Sequence, residues 1–243
     1  MERQMDDYLT IALPKGKLFS LSTDLFEKIG ISAEHMSEKS RKLIISNDEI
    51  KVRFIIAKTS DVPTYVEYGA ADIGIIGKDV LLEAGQDVYE LLDLGFGKCR
   101  LMMAVPRKEK RSRLTDYAHT RVATKYPHIA EKFFAQQGMQ MEYIKLNGSI
   151  ELGPIVGLSE SIVDIVETGT TLVENDLEEV AHIMDVSARL IVNRVSFKLK
   201  FERIYGIVND LKRILESGQG DEYRFGCRCR NGSGRTSAQE KIL

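Results

Sequence analysis

Residues 151–175, ELGPIVGLSESIVDIVETGTTLVEN, carry the residue types and spacing that could hold a phosphorylated sugar. The β-branched run 162–166 predicts a buried strand with Asp164 near its carboxyl end. Glu167-Thr168-Gly169-Thr170-Thr171 follows as a loop, and Leu172 and Val173 open a helical turn. A glycine-bearing loop that feeds a helix aims backbone N–H groups and the positive end of the helix dipole at an anion. The hydroxyls of Thr168, Thr170 and Thr171 add donors. In open α/β sheets, ligands sit outside the carboxyl ends of the strands. The segment therefore suits a phosphate monoester in the loop, with Asp164 accepting hydrogen bonds from the adjoining sugar hydroxyls. TGTT alone reads more simply as a turn with a left-handed glycine and a capping threonine. It has neither the Gly-Lys-Ser/Thr of a Walker loop nor the G-x-G-x-x-G of a dinucleotide site.

The elements that must position this loop alternate between short apolar runs and helical periods. Residues 9–13 (LTIAL) predict a strand, Pro14-Lys15-Gly16-Lys17 a turn, and Leu18, Leu21, Leu25, Phe26 and Ile29 one face of a helix that Gly30 ends. Residues 43–46 and 52–57 predict a hairpin across Asn47-Asp48-Glu49. Ser60-Asp61-Val62-Pro63 starts a helix that stops at Gly69, and 72–76 (DIGII) is a buried strand before a short helix at 77–85. Strands are expected at 101–105, 121–123, 141–146, 162–166 and 190–192, with helices at 128–137 and 198–215. Strand-helix alternation predicts an α/β protein with mostly parallel sheets. Residues 216–243, with SGQG, NGSG and few large apolar side chains, predict a disordered C-terminal tail.

Composition narrows the function class. The chain has 243 residues, with 34 Lys+Arg against 36 Asp+Glu and a formal net charge of −2. That balance offers no basic excess for a nucleic acid. The apolar runs are too short to span a bilayer. The polar start MERQMDDYLT predicts a cytosolic protein. Cys99, Cys227 and Cys229 do not form a disulfide framework, and His35, His119, His128 and His182 lack metal-ligand spacing. Cys99 reads as core.

The wider segment resembles the signature of the ATP phosphoribosyltransferase family at Glu151, Gly157, Ser159, Asp164, Thr168, Gly169, Thr171 and Leu172. IALPKGKLF, Ser40-Arg41-Lys42-Leu43, GAADIG with Gly77-Lys78-Asp79, ATKYP at 123–127 and KLNGS at 145–149 resemble other motifs of the same family. The resemblance covers roughly residues 8–215. Lys17 and Lys58 stand where many relatives carry Arg, which keeps the charge but loses the bidentate fork.

The resemblance implies transfer of the phosphoribosyl group of phosphoribosyl pyrophosphate to N1 of ATP, the first step of histidine biosynthesis, with Mg2+ accompanying the pyrophosphate. It implies a two-lobed fold like type II periplasmic binding proteins: residues 1–95 with 180–215 as the first lobe and 96–179 as the second. On it, residues 167–171 cradle the 5′-phosphate and Asp164 holds ribose hydroxyls. Lys15, Gly16, Lys17 and Arg41, with Lys58 and Lys125, face the phosphates of ATP or pyrophosphate. Glu151 and Asp72 are candidates for polar or magnesium-linked contacts. The length resembles the short form of the family, which implies a regulatory subunit related to the histidyl-tRNA synthetase catalytic domain, in a hetero-octamer. The alternative is a binding module without catalysis. A commoner phosphoribosyltransferase class fits poorly, because it carries two adjacent acids before its loop and Asp164 is followed by Ile165.

Overall fold

The computed structural model describes residues 7–32 and 42–217. Strand β1 (Leu9–Pro14) is buried throughout, because LTIALP places few polar groups on either face. Such a strand needs cover on both sides, as parallel α/β sheets provide. Helix α1 (Lys17–Lys28) supplies part of that cover through Phe19, Leu25 and Phe26. The edge hairpin of β2 (Ile44–Asn47) and β3 (Val52–Ala57) turns where expected. The Asn47 side chain accepts from the N–H groups of Glu49 at 3.1 Å and Ile50 at 3.3 Å. Helix α2 (Val62–Glu67), β4 (Ile73–Gly77), α3 (Lys78–Ala84) and β5 (Tyr89–Asp93) complete the first pass through this lobe.

The second lobe is built from β6 (Cys99–Pro106), β7 (Arg121–Thr124), α4 (Pro127–Gln136), β8 (Glu142–Lys145), α5 (Leu152–Ile155), β9 (Ser161–Val166), α6 (Thr170–Glu174) and β10 (Leu177–Val186). The chain then returns through β11 (Ala188–Val192), α7 (Arg194–Leu199) and α8 (Phe201–Ser217). The first sheet has the order β2-β3-β1-β4-β11-β5 and the second β10-β6-β9-β7-β8.

The sheets are mixed, which corrects the expectation of mostly parallel pairing. β1 runs parallel to β3 and β4, and β7 to β8 and β9. β11 is antiparallel to β4 and β5, and β6 is antiparallel to β9 and β10. β6 and β11 carry the chain between the lobes, without the crossover helix that parallel pairing requires. β10 stays in the second sheet as far as Val186, so the return falls at Ser187 and not near 180.

The helix expected at 198–215 is two helices that break at Lys200. Its ammonium group donates to the Tyr8 carbonyl and the Asp72 carboxylate, each at 2.7 Å. Asn193 caps α7, accepting from the N–H groups of Val195 and Ser196. Ile204, Ile207, Val208 and Leu211 of α8 join Phe26 and Phe54 in the first core, while Phe134, Tyr117 and Val163 centre the second. Residues 216 and 217 continue α8, and the rest of the expected tail lies outside the described residues.

Candidate active site

The carboxyl ends of β1 and β4 in the first lobe and of β7 and β9 in the second meet at one cleft, where Lys17 pairs with Glu167 and the Asp79 charge acts on Tyr126 and Asp164. From the second lobe comes the loop after β9. Gly169 has φ +82°, a conformation that L side chains rarely adopt, and there the chain turns sharply into α6. The N–H groups of a first helical turn have no intrahelical acceptor; in α6 that of Thr170 points at the Thr168 hydroxyl at 3.5 Å, and those of Thr171 and Leu172 suit an anion. Thr168 and Thr170 bring their hydroxyl oxygens within 3.0 Å of each other. Beside the loop lies a hollow of about 520 Å³ formed by the second lobe alone, between Thr168–Thr170, Arg107 and Leu177–Glu179, and it includes neither Asp164 nor a first-lobe lysine. That volume falls in the range of small-molecule sites.

Asp164 is part-buried near the end of β9 and accepts from the N–H of Ile165 at 2.8 Å. Burial pushes its carboxyl up to about 6, and the Glu151 and Asp79 charges push the same way, while the Ile165 N–H and Lys125 oppose. Glu151, just before α5, and Lys125, just after β7, thus act directly on Asp164.

The first lobe contributes the lysines. The Lys15 N–H donates to the Ala57 carbonyl at 3.0 Å, which extends the β1–β3 ladder and brings Lys15 beside Lys58. Gly16, at φ +90°, turns the chain into α1. The Lys17 ammonium pairs with Glu167 across the cleft, and both side chains remain more than half exposed. Arg41 lies outside the described residues.

Asp72 does not join this group. It sits at the amino end of β4, 5% exposed, and its carboxylate accepts from the Thr10 N–H at 2.8 Å and from Lys200 at 2.7 Å. It ties β1 to the start of α8, which is a structural role.

Asp79, Tyr126 and Cys99 belong to the cleft wall; Asp79 and Tyr126 lie in the Gly77-Lys78-Asp79 and ATKYP motifs, which by themselves assign them no role. Asp79 is 5% exposed in the first turn of α3. A Cβ on Gly77 would lie 2.1 Å from its Oδ1, so the strand-to-helix turn takes glycine to seat this carboxylate. Burial, then Asp79, pushes the Tyr126 phenol well above its ordinary range, so it stays protonated. Burial also pushes the Cys99 thiol up to about 11, helped by Asp79 and Glu167, while Lys17 pulls it down. Cys99 is half-buried at the start of β6, on the cleft and not in either core.

Among the described residues, no group of three or more His, Cys, Asp and Glu side chains is arranged to hold a metal ion. The donor set still suits Mg2+ arriving on a substrate. That ion takes one or two carboxylates and fills its remaining positions with phosphate oxygens and water. Asp164 and Glu151, which repel each other, are the carboxylates a cation would relieve. Among the described residues, no helix is long and apolar enough to cross a membrane.

Residues 58–213 match the family model described as ATP phosphoribosyltransferase. The chain is 53% identical over 219 residues to the ATP phosphoribosyltransferase of Syntrophotalea carbinolica, covering 90% of this chain and all of that one. Its structure is similar to one chain of the ATP phosphoribosyl transferase (HisG:HisZ) complex from Thermotoga maritima. The TM-score is 0.74 at 32% identity, over 86% of this chain and 99% of that one. A substrate binding protein of an amino acid ABC transporter shares the fold alone, with TM-score 0.56 at 10% identity over 88% of this chain and 93% of that one.

Proposed function

Since the chain belongs to the ATP phosphoribosyltransferase family, we infer that it transfers the phosphoribosyl group of phosphoribosyl pyrophosphate to N1 of ATP. Pyrophosphate leaves, and phosphoribosyl-ATP enters histidine biosynthesis. The observation that carries the residue roles is the pairing between lobes: Lys17, in the turn after β1 that also holds Lys15 and adjoins Lys58, reaches Glu167 in the loop that follows Asp164.

Displacement at the anomeric carbon passes through an oxocarbenium-like state while negative charge grows on the departing pyrophosphate. The protein's task is to hold three phosphorylated groups in line and to stabilise that charge. Residues 167–171 take the 5′-phosphate on their N–H and hydroxyl groups. Asp164, once ionised, accepts from the ribose hydroxyls and lies close to the cationic sugar. Lys15, Lys17 and Lys58, with Arg41 and Lys125, balance the polyphosphates. Mg2+, when bound, would neutralise pyrophosphate charge, and Asp164 and Glu151 are the residues that would hold it. The work belongs to the cytoplasm, where ATP is supplied.

A regulatory subunit completes this reading. It is supported by the two components that name the Thermotoga maritima complex. The purified chain is mixed with ATP, phosphoribosyl pyrophosphate and Mg2+, and phosphoribosyl-ATP is followed by ultraviolet absorbance with and without that subunit. Product is expected, formed faster with the partner. No product from folded protein with a competent partner would overturn the reaction and favour a binding module.

Lys17→Ala tests the cross-cleft lysine. An exposed ion pair contributes at most about 1 kcal/mol, so the melting temperature should hardly move. The KM for phosphoribosyl pyrophosphate should rise about tenfold, as for the loss of one charge-assisted contact. Steady-state kinetics beside a thermal melt reads both. An unaltered KM removes Lys17 from the site.

A further inference from the structure

Helix α4 begins without a cap of its own. Its N-cap residue, Tyr126, makes no side-chain capping bond, and Pro127 at the first position has no N–H. The first amides that need acceptors are those of His128 and Ile129. Both donate to Glu83, at 3.0 and 3.2 Å to its Oε2, with the His128 N–H also 3.3 Å from Oε1. The His128 Nδ1 lies 3.0 Å from the Glu83 carbonyl, which can only accept, so this nitrogen carries the proton.

Glu83 belongs to α3 of the first lobe, and α4 belongs to the second. The cap is therefore made between lobes. The Glu83 side chain is only 13% exposed, while His128 on the other side of the contact is 71% exposed. Asp79 stands four residues before Glu83, on the same face of α3, and acts on Tyr126. One face of α3 thus receives the start of α4 twice, and Lys125 comes immediately before Tyr126.

We propose that Glu83 is a positioning residue for phosphoribosyl transfer: by capping α4 from the other lobe, it fixes Lys125 and Asp164 relative to Lys15 and Lys17. The geometry is independent of the reaction; the kinetic consequence rests on the reading under Proposed function. Ribose 5-phosphate would touch only the second lobe's loop and Asp164. The reaction needs both lobes aligned. Loss of the cap should therefore separate the two.

The test compares Glu83→Ala and Glu83→Gln with the parent in kcat/KM, in ribose 5-phosphate affinity by calorimetry, and in amide exchange of residues 128–131. Glu83→Ala should lose tenfold or more in kcat/KM and exchange these amides faster, while ribose 5-phosphate binds within twofold of the parent. Glu83→Gln, which still offers one acceptor, should recover to within about threefold of the parent. Should Glu83→Ala fail to fold, Glu83→Asp, too short to reach both amides, takes its place with a threefold loss expected. Turnover within twofold of the parent overturns the proposal. So does an equal fall in ribose 5-phosphate affinity, which would make the residue a support of the second lobe alone. A parent that binds no ribose 5-phosphate counts against the phosphate-loop reading instead, and the exchange measurement still decides the interlobe cap.

Discussion

Replacing Gly169 with alanine is expected to lower kcat/KM for phosphoribosyl pyrophosphate about a hundredfold and to leave the protein folded. At φ +82° a Cβ costs roughly 1–2 kcal/mol. Its nearest neighbours would be Glu179 Oε1 at 3.7 Å and Val166 Cγ1 at 3.9 Å, so nothing collides. The strain is relieved by moving the loop, and the loop's orientation is what the bound phosphate needs. Removing one preorganised donor from an oxyanion site costs about 3–4 kcal/mol, and a shifted loop misaims several. A melt that falls by only a few degrees, beside the kinetic loss, separates orientation from unfolding. Unchanged kinetics would take the loop out of the active site.

Asp164→Asn should make the protein more stable and a poorer enzyme. The native carboxyl has its pKa raised from 3.8 to about 6 by burial. Between those values the folded state keeps a proton that the unfolded chain has released. Stability therefore falls as pH rises through that window and stays lower above it. Asparagine removes this cost, for a gain of about 3 kcal/mol above pH 6 that disappears below about pH 4. The same change deletes the charge-assisted bonds to ribose, so kcat/KM should fall about thirtyfold. In the parent, protonation of Asp164 should carry activity down below pH 6. Melting curves and rates across pH 4–8 read both halves. A fully active variant excludes the ribose role, and a variant with no stability gain at pH 8 excludes the buried charge.

The central strands β1, β3, β4 and β9 were legible because apolar, largely β-branched residues dominate them. The edge strands β5 and β10 were not. YELLD and LEEVAHIMDV keep charged residues where one face or one edge meets water, and β10 adds two register shifts, so no clean period survives. The phosphate loop was readable because its glycine, threonines and preceding strand are contiguous. Asp79 and Tyr126 lie in motifs the sequence shows, but their roles, like that of Glu83, depend on a contact between lobes that local pattern does not carry. One local sign existed: Pro127 opens a helix with no Ser, Thr, Asp or Asn before it, so its amides had to find an acceptor elsewhere. For Asp72 the same residue type admits a ligand or a tie, and only Lys200, distant in sequence, decides it.

The two passages between lobes also set an order of assembly during synthesis. The second sheet is closed by an unbroken stretch, residues 99–186. The first sheet is not: β11 must insert between β4 and β5, pairing Val192 with Ile73, and α8 must then cover the core. As the chain leaves the ribosome, the later-made lobe can finish first, while the earlier one waits with β4 and β5 unjoined. Open strand edges of that kind invite mispairing. The last thirty described residues are thus the step on which the first half of the protein depends to escape aggregation.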